Sequence, residues 1–131
     1  MKKARILLAD DHPAMRDKVA DLLGDAFQIV ASVADGKAAM KAATLLSPDV
    51  VLMDISMPIM NGIEAAERLV QSRTQAKILF LTVHDDPDFL KAALATGAAG
   101  YILKSQMATD LIPAIRKALA GNRFISRSFS K

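Results

Sequence analysis

Five residues carry most of the chemistry that this chain can offer: Asp10, Asp11, Asp54, Thr82 and Lys104, each at the end of an apolar run. Asp10, Asp54, Thr82 and Lys104 follow one another at intervals of 44, 28 and 22 residues. Taken singly, each has an ordinary explanation. Asp10 or Asp11 could cap a helix, Asp54 could open a turn before Pro58, Thr82 could end a strand, and Lys104 could be a solvated lysine. Brought to one crevice they mean more. Three carboxylates repel one another and call for a cation. A hard divalent ion with oxygen donors suits them, Mg²⁺ first. Cysteine is absent and the only histidines are His12 and His84, so zinc is poorly served. Such a site holds phosphoryl oxygens, and an aspartate within it can act as a nucleophile and form an acyl phosphate. Transfer of this kind demands mainly positioning and charge neutralisation. Lys104 adds a second positive charge, and the Thr82 hydroxyl can donate to a phosphoryl oxygen.

The elements that must bring these residues together are readable as an alternation. Strand-like runs recur at Ile6-Leu7-Leu8, Ile29-Val30, Val50 to Met53, Ile78 to Leu81 and Tyr101-Ile102-Leu103. The first, third and fourth are nearly continuous apolar runs, the signature of parallel strands covered on both faces. Helical stripes lie between and after them: Met15, Val19, Leu22 and Leu23; Ala38, Ala42 and Leu45; Ile63, Ala66, Leu69 and Val70; Leu90, Ala93 and Leu94; Leu111, Ile115, Ala118 and Leu119. Pro13 suits the first turn of the first helix, Ser47-Pro48-Asp49 stops the second, and Gly97 and Gly121 suit helix ends. Pro113 is acceptable only in the first turn of the fifth helix. Five strand–helix units with short loops predict a single α/β domain with a doubly wound, five-stranded parallel sheet. Its binding crevice lies beyond the C-terminal strand ends, where all five residues above are placed.

Bulk properties agree with a globule of this kind. At 131 residues the chain can bury a core without disulfides or structural metal, and 52% apolar with 24% charged residues is an ordinary globular balance. The absence of cysteine fits a reducing compartment. The N-terminal apolar run ends at Asp10, too short for a secretion signal or a membrane span, so a cytoplasmic protein without membrane partners is expected. Charge is uneven. No acid follows Asp110, whereas Arg116, Lys117, Arg123, Arg127 and Lys131 are basic. This is either a solvated helix end and tail or a linker leading towards an acidic partner or DNA.

With the elements in place, residues 4–121 resemble the receiver domain of the response regulators of two-component signalling. The features that carry the resemblance are Asp10-Asp11, Asp54-Ile55-Ser56-Met57-Pro58 with Gly62, Thr82, Gly97-Ala98 before the fifth strand, and Tyr101 three residues before Lys104. The resemblance implies the flavodoxin-like (βα)5 fold with strand order 2-1-3-4-5. It also implies that Asp54 takes a phosphoryl group from a sensor histidine kinase or phosphotransfer protein. Mg²⁺ would be held by Asp10, Asp11, the Asp54 carboxylate and the Ser56 backbone carbonyl. Lys104 would contact the phosphoryl group, Thr82 would move towards it, and Tyr101 would turn inward. The protein would catalyse only its own phosphorylation and dephosphorylation. Ser105 stands where many receivers have proline, so no cis peptide is expected there.

Several residues keep two readings. Tyr101 is either the switch aromatic or a half-buried strand residue with a wet hydroxyl. His84 either governs water access to the phosphoryl site or is a solvated loop residue, and His12 reads as a helix-entry residue rather than a ligand. Met53, Met57 and Met60 read as packing. Asp10-Asp11-His12-Pro13, Thr82-Val83-His84-Asp85-Asp86, Gly100 to Lys104 and Ala114-Ile115-Arg116 with Gly121 are similar to the branch that precedes a LuxR-type helix-turn-helix domain. That branch implies homodimerisation on phosphorylation and DNA binding through an output domain absent from this chain. Residues 122–131 would then be a basic tail or the start of a linker. A stand-alone receiver or phosphorelay intermediate is the alternative. A Mg²⁺-dependent phosphatase with an aspartyl-phosphate intermediate is disfavoured, because Ser56 is no acid and no cap insertion is present. A binding module with a vestigial acidic pocket is the third reading.

Overall fold

The computed structural model describes residues 2–126. Strands β1 (Arg5–Ala9), β2 (Gln28–Val33), β3 (Val50–Met53), β4 (Lys77–Thr82) and β5 (Gly100–Leu103) alternate with helices α1 (Pro13–Leu23), α2 (Gly36–Leu46), α3 (Gly62–Gln71), α4 (Pro87–Ala95) and α5 (Met107–Leu119). A short strand β6 (Phe124–Ile125) follows. All strands run parallel in the order β2-β1-β3-β4-β5-β6. The expected order of the first five holds, and the sheet has one strand more than the five read from the sequence. Two residues carry no periodic signal, so the sequence alone places Phe124-Ile125 in a tail. The remainder of that tail, with Arg127 and Lys131, lies outside the described residues.

Alternation along the strands builds two cores. Leu7, Val51, Met53, Phe80 and Tyr101 face α2, α3 and α4, packing on Ala39, Ala43, Ala65, Ala66, Leu69 and Ala93. Ile6, Leu8, Leu52, Leu79, Leu81 and Ile102 face α1 and α5, packing on Val19, Leu23, Leu111, Ala114 and Ile115. The chain is therefore doubly wound, and its crevice falls where β1 and β3 send their connections to opposite faces.

Local signals behave as chemistry requires, with three differences. Pro13 opens α1, and Gly97 and Gly121 follow α4 and α5 at φ 94° and 85°, a conformation that costs other residues strain. Neither Asp10 nor Asp11 caps α1; His12 occupies the cap position, and its side chain makes no capping hydrogen bond to the helix. The buried stripe of α2 is Gly36, Ala39 and Ala43, one residue round from the stripe read from the sequence, and Leu45 is 82% exposed. Ala38, Ala39, Ala42 and Ala43 sit side by side on that helix and blur where its buried stripe is centred. Pro113 lies well inside α5, not in its first turn. It sits on the exposed face, where water can reach the carbonyl that its ring leaves unpaired. No peptide bond among the described residues is cis.

Two glycines set how closely the helices approach the loop after β3. The Gly36 N–H donates to the Met60 carbonyl at 3.0 Å, and the Gly62 N–H to the Ile55 carbonyl at 2.8 Å. A Cβ on Gly36 would lie 2.1 Å from the Met60 oxygen, and one on Gly62 would lie 2.0 Å from the Asp54 oxygen. Alanine ordinarily favours a helix over glycine. Here the clash with backbone reverses the sign, so Gly36→Ala and Gly62→Ala should each destabilise the fold by about 1–3 kcal/mol in urea unfolding. Either variant proving more stable than wild type would refute this account of the loop.

Candidate functional site

The acidic residues reach the crevice because backbone hydrogen bonds carry the strands one residue further. The Asp10 N–H donates to the Val33 carbonyl at 3.0 Å and the Asp54 N–H to the Ala9 carbonyl at 2.9 Å. Both carboxylates are buried, at 2% and 4% exposure. Such charges need partners, and Lys104 provides them. Its Nζ lies 2.7 Å from Asp10 Oδ2 and 3.0 Å from Asp54 Oδ2. The other oxygen of each acid is also engaged. Asp54 Oδ1 accepts the Ile55 N–H at 2.7 Å, and Asp10 Oδ1 accepts the His12 N–H at 2.9 Å. The carboxylate planes are thus set by backbone, with one oxygen of each turned to the ammonium.

Asp11 completes an acidic cluster. One donor atom each from Asp10, Asp11, His12 and Asp54 lies within 4.8 Å of the others. Asp11 Oδ1 is shielded from solvent and accepts no hydrogen bond, although His12 Nδ1 stands 3.0 Å away as an ionic contact when the ring is protonated. An orphaned carboxylate oxygen beside two buried carboxylates fits a cation, and three acids make the donor set predominantly oxygen. The cluster can hold a metal ion.

On the far side of Asp54, His84 ties four elements together. Its N–H donates to Thr82 Oγ1 at 3.2 Å, its carbonyl accepts the Tyr101 hydroxyl at 2.6 Å, and its Nε2 pairs with Ser56 Oγ at 2.7 Å. The ring stacks on Phe89 of α4 at 4.1 Å between centroids. The reading of His84 as a solvated loop residue therefore gives way. Thr82 and Tyr101 are fully buried, so the reading of Tyr101 as half-buried with a wet hydroxyl gives way too. Met53 and Met57 are buried packing residues.

All five residues singled out for chemistry thus stand at one end of the sheet, with Lys104 touching two of them directly. The Ser56 hydroxyl is linked to Thr82 only through His84. Sequence reasoning missed Arg16, whose guanidinium donates to the Asp10 carbonyl at 2.6 Å, and gave His12 no place in the cluster that it joins. It also missed the grip of His84 on four neighbours. The only signal for His84 was its place two residues after Thr82. For Arg16 there was its place one helical turn into α1.

Residues 6–116 match the response regulator receiver domain family. The chain belongs to that family. Relatives of this receiver include the transcriptional regulatory protein DegU of Brevibacillus brevis, 39% identical over 94% of the chain and 53% of the relative. The nitrate/nitrite response regulator protein NarL of Escherichia coli K12 is 34% identical over 97% of the chain and 60% of the relative. The receiver thus spans between about half and three-fifths of the length of these curated relatives. Among solved structures, a LuxR-family two-component response regulator from Aurantimonas sp. SI85-9A1 superposes with a TM-score of 0.93 at 36% identity, covering 98% of this chain and 94% of that one. The isolated receiver domain of RcsB from Salmonella enterica serovar Typhimurium, solved with the phosphomimetic BeF3⁻, superposes with a TM-score of 0.89 at 26% identity, over 98% and 97% of the two chains. The flavodoxin-like receiver fold and the LuxR-type resemblance read from the sequence both hold. No helix among the described residues is long and apolar enough to cross a membrane.

Charge and burial act together on two protons of the receiver. Burial by itself would lower the Lys104 pKa, but hydrogen bonds and charge from Asp10 and Asp54 outweigh it and raise the value above the usual 10.5. The Tyr101 phenol is pushed well above its usual 10.0 by burial first, then by Asp86, Asp85 and Asp54. Both groups keep, in the fold, protons that the unfolded chain releases at those ordinary values. Their stabilisation is complete below pH 10 and is lost as pH rises beyond it. Urea midpoints measured from about pH 8 to 11 should fall above pH 10, and less steeply in Tyr101→Phe. Equal slopes in the two proteins would refute the assignment for Tyr101.

Proposed function

We propose that this receiver is a phosphorylation-controlled switch in which Asp54 accepts a phosphoryl group from a phosphohistidine on a sensor histidine kinase or phosphotransfer protein. The observation that supports it best is the Lys104 ammonium held between the buried carboxylates of Asp10 and Asp54, 2.7 and 3.0 Å away. A carboxylate oxygen of Asp54 attacks phosphorus while the P–N bond breaks, and the imidazole leaves and takes up a proton. The product is an acyl phosphate. Mg²⁺ held by Asp10, Asp11, Asp54 and the Ser56 backbone carbonyl would supply the charge that lets two anions meet. Asp54 is oriented by the Ile55 N–H, and Lys104 neutralises charge on the transferred oxygens. The RcsB receiver, similar in fold, was solved in the presence of a phosphomimetic, which agrees with a phosphoryl-accepting role.

The consequence of phosphorylation runs through Thr82 and Tyr101. The Thr82 hydroxyl moves to the phosphoryl oxygens, away from the His84 N–H that it now accepts at 3.2 Å. Tyr101 already points inward, on the His84 carbonyl, so phosphorylation stabilises an arrangement that the unmodified chain can reach. Even a shift from 1:99 to 99:1 needs only about 5.5 kcal/mol. The reaction is confined to the receiver's own aspartate, and the chain is not an enzyme acting on a separate substrate. In the likeness of its transcriptional relatives, it works in the cytoplasm, dimerises when phosphorylated, and reaches DNA only through an output domain outside these residues.

Incubation with acetyl phosphate and Mg²⁺ tests the reading by mass spectrometry. Wild type should gain one acid-labile phosphate, none should form if the metal is chelated beforehand, and Asp54→Asn should gain none. Equal labelling of the two proteins would overturn it.

A further inference from the structure

After α5 the chain turns at Gly121 and comes back to the sheet. The Phe124 N–H donates to the Ala99 carbonyl at 3.2 Å and the Ser126 N–H to the Tyr101 carbonyl at 3.0 Å. Gly100 makes room for this return, since a Cβ there would lie 2.4 Å from the Phe124 carbonyl oxygen. The Lys117 ammonium lies 5.8 Å from the centre of the Phe124 ring and helps hold the strand against α5.

The return delivers one hydroxyl to the interior. Ser126 is fully buried, and its Oγ accepts the Leu103 N–H at 2.9 Å while donating to Asp110 Oδ2 at 3.0 Å. Leu103 is the last residue of β5, and Asp110 lies in the first turn of α5. Lys104 and its 3₁₀ turn, Lys104–Gln106, are strung between them. The backbone that carries Lys104 is therefore pinned on both sides by the same buried oxygen. A long, flexible ammonium can bridge Asp10 and Asp54 only if its Cα is held.

We propose that Ser126 is a positioning residue for Lys104, so that the segment leaving the receiver and the phosphoryl site are mechanically coupled. The inference rests on the reading of Asp54 and Lys104 given above. Coupling of this kind is reciprocal. Whatever Lys104 does at Asp54 is felt at Ser126, and whatever pulls on the chain beyond β6 is felt at Lys104.

A double-mutant cycle on the full chain tests it, with acetyl phosphate and Mg²⁺ as the probe. Ser126→Ala should slow phosphoryl uptake by about fivefold, the lower end of ordinary coupling, and Ser126→Thr should restore most of it. In a Lys104→Ala background, Ser126→Ala should slow uptake no further, because its effect runs through the lysine. A purely structural role would instead lower both backgrounds alike. Amide exchange gives a readout independent of phosphorylation: the Leu103 N–H should exchange faster in Ser126→Ala than in wild type. If Ser126→Ala does not fold, Asp110→Ala carries the same cycle, with a smaller effect in the same direction. An additive cycle, or unchanged uptake in Ser126→Ala, overturns the inference. Wild type that takes up no phosphate overturns instead the reading on which it rests, while Leu103 exchange still reports whether the pinning is real.

Discussion

The ammonium of Lys104 between two buried carboxylates is the contact on which the site depends. Burying one carboxylate unpaired would cost several kcal/mol, and burying two side by side would cost more. The sheet accepts that cost because a lysine arrives from the end of β5, two strands from β3 and three from β1, and touches both. Its position follows from topology. β1 and β3 are neighbours, so Asp10 and Asp54 leave adjacent strand ends, while β5 lies beyond β4 and its residue must reach across. A long, unbranched side chain is the kind that can span that gap, and Lys104 does so with its side chain 7% exposed.

A second layer surrounds that contact. His84, through backbone and ring, holds Thr82, Tyr101, Ser56 and Phe89, so the loop after β4 is tied to the loop after β3 and to α4. On the opposite side, Gly36 and Gly62 allow two helix starts to close on the segment containing Asp54. The aspartate therefore sits on a short loop that is gripped from three directions. Preorganisation of this sort is what a transfer reaction with little covalent help from the protein requires.

Much of this is legible in the sequence itself. Apolar runs with strand-like composition marked β1, β3, β4 and β5, because parallel strands buried on both faces leave no polar alternation to confuse them. The strand-end residues followed from the rule that ligands gather at the C-terminal edge of such sheets. Other features were hidden for identifiable reasons. The face of α2 was misread by one residue because alanine is indifferent to burial. Pro113 was misplaced because the cost of an internal proline depends on which face water reaches. The pairing of His84 with Ser56 joins residues 28 apart through side-chain rotamers, which no periodicity encodes. β6 escaped because two residues cannot display a period, and Ser126 escaped with it.

The two borders of the sheet are not alike, and the difference bears on how the chain behaves in company. At one border, β6 lies over β5 and is itself only two residues long, too short to serve as a template for another molecule. At the other, β2 is six residues, Gln28-Ile29-Val30-Ala31-Ser32-Val33, with neither charge, proline nor glycine. Among the described residues, no strand faces its outer hydrogen-bonding groups. That composition is the one from which stacked, self-pairing strands are built. In a crowded or partly unfolded population, self-association would begin along β2, and a lysine placed on its outer edge would be the economical way to keep the molecules apart.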